Sequence, residues 1–167
     1  MATVTSNYAA SAAITITLAL LASSTAKTVG RESTAVSNAT NKYVDALVGG
    51  KITTGTSPTA GKTIEVWVYG AVNDTPTYPD VLDGTDSDET FTDDGSKFSA
   101  MKLAKVINTD NTSDQTYWVA PFSVAQLFGG IMPTHWGVFV AHDTGVALNA
   151  TAGNHEFKYT GVKYDVA

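Results

Sequence analysis

The chain has no cysteine, which excludes disulfide staples, thiolate nucleophiles and the Cys-based structural zinc sites together. Charge is also scarce: Asp, Glu, Lys and Arg make up 16% of the 167 residues, against about a quarter in ordinary globular domains. Histidine occurs three times, at 135, 142 and 155, and never in an HxH or HExxH arrangement that would bring two imidazoles to one metal. The longest apolar run, residues 12–22 (AAITITLALLA), falls short of the roughly 20 residues a membrane-spanning helix needs. No Lys or Arg precedes it, so it lacks the basic start of an export signal and reads instead as an alternating strand. With a formal charge of −6 there is no basic footprint for nucleic acid either.

What the chain does hold is a 43% hydrophobic fraction, enough for one buried core, in a background rich in Thr, Ser, Ala and Gly. Thr is β-branched and sits well on a pleated surface, so the composition leans towards β structure. The negative charge is concentrated. Asp80, Asp83, Asp86, Asp88, Glu89, Asp93 and Asp94 fall in one stretch, and no Lys or Arg occurs between Lys62 and Lys97. Ten basic residues against the nine other acids leave the remainder at a formal +1.

Alternating runs separated by turn residues recur along the chain. Strands are expected over residues 12–22, 42–54 (with Gly49-Gly50 as a bulge), 62–70, 135–142, 146–148 and 155–166. Residues 97–107 fit neither period cleanly, and a strand paired with 115–120 is slightly favoured. Residues 123–128 suit a single helical turn ended by Gly129-Gly130. Residues 27–36 are polar, and 71–96 form one long acidic loop. The expectation is a single all-β domain over 1–167, an antiparallel β-sandwich of jelly-roll type with eight or nine strands. Residues 1–12, free of charge, form a candidate N-terminal arm.

No motif names a reaction, and no cofactor is implied. Asp83, Asp86 and Asp88 offer hard oxygen ligands for calcium, but they lack the spacing and the turn glycine of an EF-hand, so a solvated loop is the plainer reading. His135 and His142 are seven apart and face opposite ways in one strand. Serine is never framed as GxSxG, and Gly49-Gly50-Lys51 has neither the spacing nor the context of a phosphate loop. A non-enzymatic protein is therefore expected.

The strand over 64–69 stands out. Ile64, Val66 and Val68 make one apolar face, while Glu65, Trp67 and Tyr69 make the other. Either both faces are buried, the outer one beneath the 71–95 loop, or Trp67 and Tyr69, with Tyr78, form an interface or a sugar-stacking platform.

Two stretches carry a resemblance: residues 30–70, GRESTAVSNATNKYVDALVGGKITTGT leading into IEVWVYG, and residues 120–162, APFSVAQLFGGIMPTHWGVFVAHDTGVALNA followed by NHEFKYTGV. They resemble a family of small proteins encoded in the structural regions of tailed bacteriophages and prophages. The resemblance implies a virion component made in the host cytoplasm, with the capsid surface favoured over the tail. A capsid decoration (cement) protein would bind the major capsid protein or other virion proteins, as a homo-oligomer with a trimer favoured, and would engage no nucleic acid or membrane. A tail or baseplate part with a carbohydrate-binding role is the alternative.

Overall fold

The structure, a computed structural model, describes residues 3–73 and 75–166. Two antiparallel sheets face each other across one core. The first contains β1 (Val4–Tyr8), β2 (Ala12–Ile14), β5 (Asp45–Thr53), β9 (Thr116–Ser123) and β11 (Glu156–Val166), in the order β1-β11-β5-β9 with β2 beside β1 on β11. The second contains β3 (Val29–Glu32), β4 (Val36–Ser37), β6 (Lys62–Ala71), β7 (Ser87–Thr90), β8 (Lys102–Thr109) and β10 (His135–His142). Its order is β7-β3-β10-β6-β8, with β4 beside β3 on β10. Helix is confined to α1 (Asp94–Ala100), α2 (Val124–Leu127) and a 3-10 turn at Ala152–Asn154. Among the described residues no helix is long and apolar enough to cross a membrane.

Side-chain alternation explains the pairing of the layers. Ala46, Val48 and Ile52 of β5, Val119 and Phe122 of β9 and Phe157 of β11 turn inward. They meet Ile64, Val66 and Val68 of β6 and Trp136, Val138 and Val140 of β10. Each strand therefore commits one face to the core, which fixes its register, because a one-residue slip would expose the whole set. The bulge expected at Gly49-Gly50 lies on the partner strand instead. Val48↔Phe122 and Gly50↔Val119 set two steps of β5 against three of β9, so the extra residue falls at Ala120-Pro121, while β5 pairs with β11 without a shift. Any side chain at Gly50 would run into the Glu156 carbonyl of β11, so backbone packing alone demands glycine there.

The all-β sandwich stands, with eleven strands rather than eight or nine. Much of the segment expected as an arm is β1, folded back on β11 from Val4↔Val166 to Tyr8↔Val162. The run at 12–22 is a strand only as far as Ile14. Leu18 and Leu21 then both plug the core, which requires a left-handed turn at Leu20 (φ 61°) rather than an extended chain. The mixed periodicity of 97–107 arises because α1 ends and β8 begins inside it. Asp93 caps α1 in a reciprocal box with Ser96, and Met101 closes it.

Strand β8 pairs with β6 and not with β9, since the turn between β8 and β9 carries the chain from one sheet to the other. Residues 146–148 form no strand, although Leu148 is buried and its N–H donates to the Leu21 carbonyl.

Strand β6 is buried on both faces. Trp67 is 1% exposed and Tyr69 0% exposed, covered by residues 75–101, a strap that lies over the outer face of the second sheet before and after joining its edge as β7. Phe91 packs edge-on against Phe139 with ring centroids 5.5 Å apart, Tyr78 against Tyr69 at 5.6 Å, and Phe98 against Trp67 at 5.1 Å. Truncating Trp67 to Ala should therefore cost about 3–5 kcal/mol of stability, as for other large buried aromatics. Urea unfolding of Trp67→Ala measures it, and a loss below about 1 kcal/mol would contradict the burial.

Candidate functional site

The acidic stretch expected as one loop at 71–96 contains β7, which pairs with β3 from Val29↔Thr90 to Glu32↔Ser87, and the start of α1. Three side-chain anchors add to that ladder. Glu32, on the outer side of β3 opposite Phe139 and fully buried, accepts from the backbone N–H of Gly84 at 2.7 Å and of Asp83 at 3.1 Å. Arg31 donates through Nε to Asp86 at 2.6 Å and through a terminal nitrogen to Asp88 at 3.1 Å. The third anchor is Lys97 in α1, 1% exposed, whose ammonium donates to Glu65 at 3.2 Å and to the Lys27 carbonyl at 3.0 Å, and lies 5.0 Å from the Trp67 ring centroid. Glu65 also accepts from the Trp67 indole at 2.9 Å and pairs with Lys27 at 3.2 Å. A buried lysine persists only when its charge is paired and bonded in this way.

The three candidate calcium aspartates do not converge. Asp86 and Asp88 serve Arg31, while Asp83 closes a local turn by accepting from the N–H and hydroxyl of Thr85. Among the described residues the carboxylates that do approach one another are Glu32, Asp83 and Glu89, with one oxygen from each within 4.8 Å. Calcium takes six to eight oxygens, and here Glu32 is already spent on two amides and Glu89 accepts from Ser87.

The histidines are structural in their contacts. His142 is buried, with Nε2 donating to the Leu21 carbonyl at 3.1 Å and Nδ1 2.9 Å from the Thr144 hydroxyl. His155 donates through Nε2 to the Asn149 carbonyl at 2.9 Å and accepts from the Thr53 N–H. Burial lowers the pKa of both rings. Nδ1 of His135 is buried without a partner. Among the described residues, no serine or carboxylate is hydrogen-bonded to any of the three rings.

Of the three aromatics proposed as contact residues, Trp67 and Tyr69 lie inside the second core, and Tyr69 donates its hydroxyl to the Ser33 carbonyl at 2.6 Å. Neither reaches a ligand or partner while the strap is down. Tyr78 is half-buried, as part of the cover.

The outer face of the first sheet has no such cover. Trp118 of β9 stands out of it at 73% exposure, with Tyr8 and Val4 of β1, Tyr164 of β11 and Leu47 of β5 also exposed. Gly49 and Gly50 leave a trough between Trp118 and Tyr8, and the result is a groove of about 550 Å³, flanked by Pro121 and Lys158. Lys158 is paired with Glu156 at 2.7 Å, so the groove's rim carries little free charge. Sequence reasoning passed over Trp118. The signal lay in the alternation of 116–120, where Tyr117 and Val119 share one face and Trp118 occupies the other, between Thr116 and Ala120.

Comparison with known proteins adds no relative. No family model, curated protein or solved structure matches this chain.

The Glu32 anchor makes the strap sensitive to pH. Burial pushes its carboxyl from an ordinary 4.5 up to about 6, partly offset by the Asp83 and Gly84 amides, with Asp83 adding like-charge repulsion and Tyr69 and Tyr78 lying nearby. A folded-state pKa above the unfolded one means that Glu32 contributes more stability as pH falls through about 6, levelling off near 4.5. His142 and His155, held below 6.5, act in the opposite sense as pH falls. Comparison with Glu32→Gln isolates the carboxyl. Lowering pH from about 7 to about 5 should shift the stability difference in favour of the wild type, and a difference that stays constant would contradict the assignment.

Proposed function

We propose that the chain is a non-enzymatic structural protein of a bacteriophage virion that decorates the capsid and stabilises the major capsid protein lattice. It docks through the outer face of its first sheet. The observation that carries this reading is the contrast between the two faces. The second sheet is covered over β6 and β10 by the chain's own strap, which collects exposed acids including Asp80, Asp83, Asp88, Asp93 and Asp94 and leaves Leu103 and Val106 of the edge strand β8 exposed. The other leaves Trp118, Tyr8, Leu47 and Tyr164 in solvent.

A shell protein needs one face that binds and one that remains hydrated. Exposed tryptophan surrounded by aliphatic and aromatic neighbours is the residue type that most often dominates an interface once desolvated. The acidic strap, directed away from the lattice, keeps neighbouring copies apart and correctly oriented through like-charge repulsion. The resemblance to proteins of phage structural regions supports the same conclusion. A virion supplies many symmetry-related copies, so a modest interface per copy suffices.

A second reading, a tail or baseplate part with a carbohydrate-binding groove, is favoured by one observation. Trp118 and Tyr8 stand on either side of a trough that also presents Ser11, Glu156 and Lys158, an arrangement suited to stacking and hydrogen bonding a sugar ring.

Replacing Trp118 by Ala distinguishes the two. On the decoration reading the wild type co-sediments with expanded capsids, and Trp118→Ala weakens this by about tenfold or more with its unfolding midpoint essentially unchanged. Undiminished capsid binding by the variant would overturn the docking face. Trp118-dependent retention on an immobilised glycan, without capsid binding, would favour the tail reading instead.

A further inference from the structure

The free edge of the first sheet is a separate feature from its face. A strand at the edge of a sheet leaves a row of N–H and C=O groups unpaired, and proteins blunt such edges with shortness, charge, proline or bulges. Among the described residues, five of the six outermost strands carry one of these devices. Strand β2 has three residues and β4 has two. Strand β7 has four residues, including Asp88 and Glu89. Strand β8 carries Lys102 and Lys105, and β9 is interrupted by Pro121 and by the register shift against β5. Strand β1 has none. Val4, Thr5, Ser6, Asn7 and Tyr8 are all exposed, all uncharged, and regular in their pairing to β11.

We propose that β1 pairs with the β1 of a second copy, antiparallel across a two-fold axis through Ser6, so that two first sheets join into one continuous sheet. Self-complementarity selects a second copy as the occupant. In this register Val4 lies opposite Tyr8 of the partner subunit, a β-branched residue against an aromatic, which is among the favourable cross-strand pairs. Thr5 lies opposite Asn7 of the partner subunit, and no charge meets a charge. Both Val4 and Tyr8, at 62% and 63% exposure, gain cover.

Charge distribution permits the approach. Two copies at −6 repel overall, but the acids at 80–94 lie on the strap across the second sheet, away from this edge. The acid nearest β1, Asp165, is neutralised by Lys163 at 3.3 Å and accepts from Asn7 at 2.7 Å. Tyr8 belongs to both the edge and the groove, so pairing sets two grooves side by side on one face. The product is a two-fold pair rather than the trimer implied by the resemblance. Five residue pairs make a smaller contact than the roughly 1,200–2,000 Å² of a stable interface, so the pair is a weak and reversible one.

Sedimentation equilibrium of the whole chain, from about 10 µM to about 1 mM, tests this without any capsid and so independently of the docking face. A monomer–dimer equilibrium is expected. Ser6→Lys and Ser6→Glu each place like charges opposite each other on the axis and should weaken the dimer about fivefold, while an equimolar mixture of the two restores wild-type affinity or better. Ser6 is exposed, and equal unfolding midpoints for both variants confirm intact folds. A monomer at every concentration, a trimer, charge variants that dimerise as well as the wild type, or a mixture no tighter than its components would each overturn the inference.

Discussion

The burial of Trp67, Tyr69 and Phe139 beneath residues 75–101 is the interaction on which the rest of the structure depends. These rings stand on the face of the second sheet that points away from the main core, so a two-layer sandwich alone would leave them in water. Each large aromatic removes about 150–250 Å² from solvent, worth roughly 4–6 kcal/mol at about 25 cal/mol per Å² as an upper bound. A buried ion pair such as Lys97–Glu65 recovers little more than the cost of its own desolvation. The aromatic contact therefore supplies the driving force, while Arg31, Glu32 and Lys97 determine where the strap lies. The strap is largely polar and acidic, and the β7–β3 backbone ladder acts with those anchors to fix its register.

That arrangement divides the molecule into unlike halves. The strap gathers exposed acids over the second sheet and covers the outer faces of β6 and β10, leaving Leu103 and Val106 of the edge strand β8 in solvent. The first sheet receives no third layer, so Trp118, Tyr8, Leu47 and Tyr164 remain in solvent around a trough floored by glycine. Isolated exposed apolar residues are ordinary, but a contiguous set on one sheet face marks a contact surface. Both the proposed docking to a capsid lattice and the proposed edge pairing of β1 use this half of the molecule, and neither requires the strap to move.

Much of the architecture was legible from the residues. The runs at 62–70 and 135–142 showed clean alternation because each turns one set of side chains to the main core, whereas Gly49-Gly50 marked a close approach of the β11 backbone at Gly50 rather than a bulge in β5. The unusual second face of β6 was also legible, along with its alternative explanations, of which burial is the one observed. Other elements left weaker traces. Strands β3, β4 and β7 are four residues or fewer, too short for alternation to register. Strand β1 is exposed along its whole length and so shows no apolar period. The α1–β8 segment mixed two periods because it holds two elements. Trp118 left little trace because it stands on the solvent face of β9, between Thr116 and Ala120, where alternation alone predicts a polar residue and carries no sign of a contact surface.

Oxidative footprinting by hydroxyl radicals, read by mass spectrometry on the free chain and on assembled particles, tests the contrast between the two faces most directly. The expected result is heavy oxidation of Trp118 in the free chain, protection of Trp118 in the particle, and protection of Trp67 in both. Oxidation of Trp67 comparable to that of Trp118 in the free chain, or Trp118 oxidised equally in both states, would contradict it.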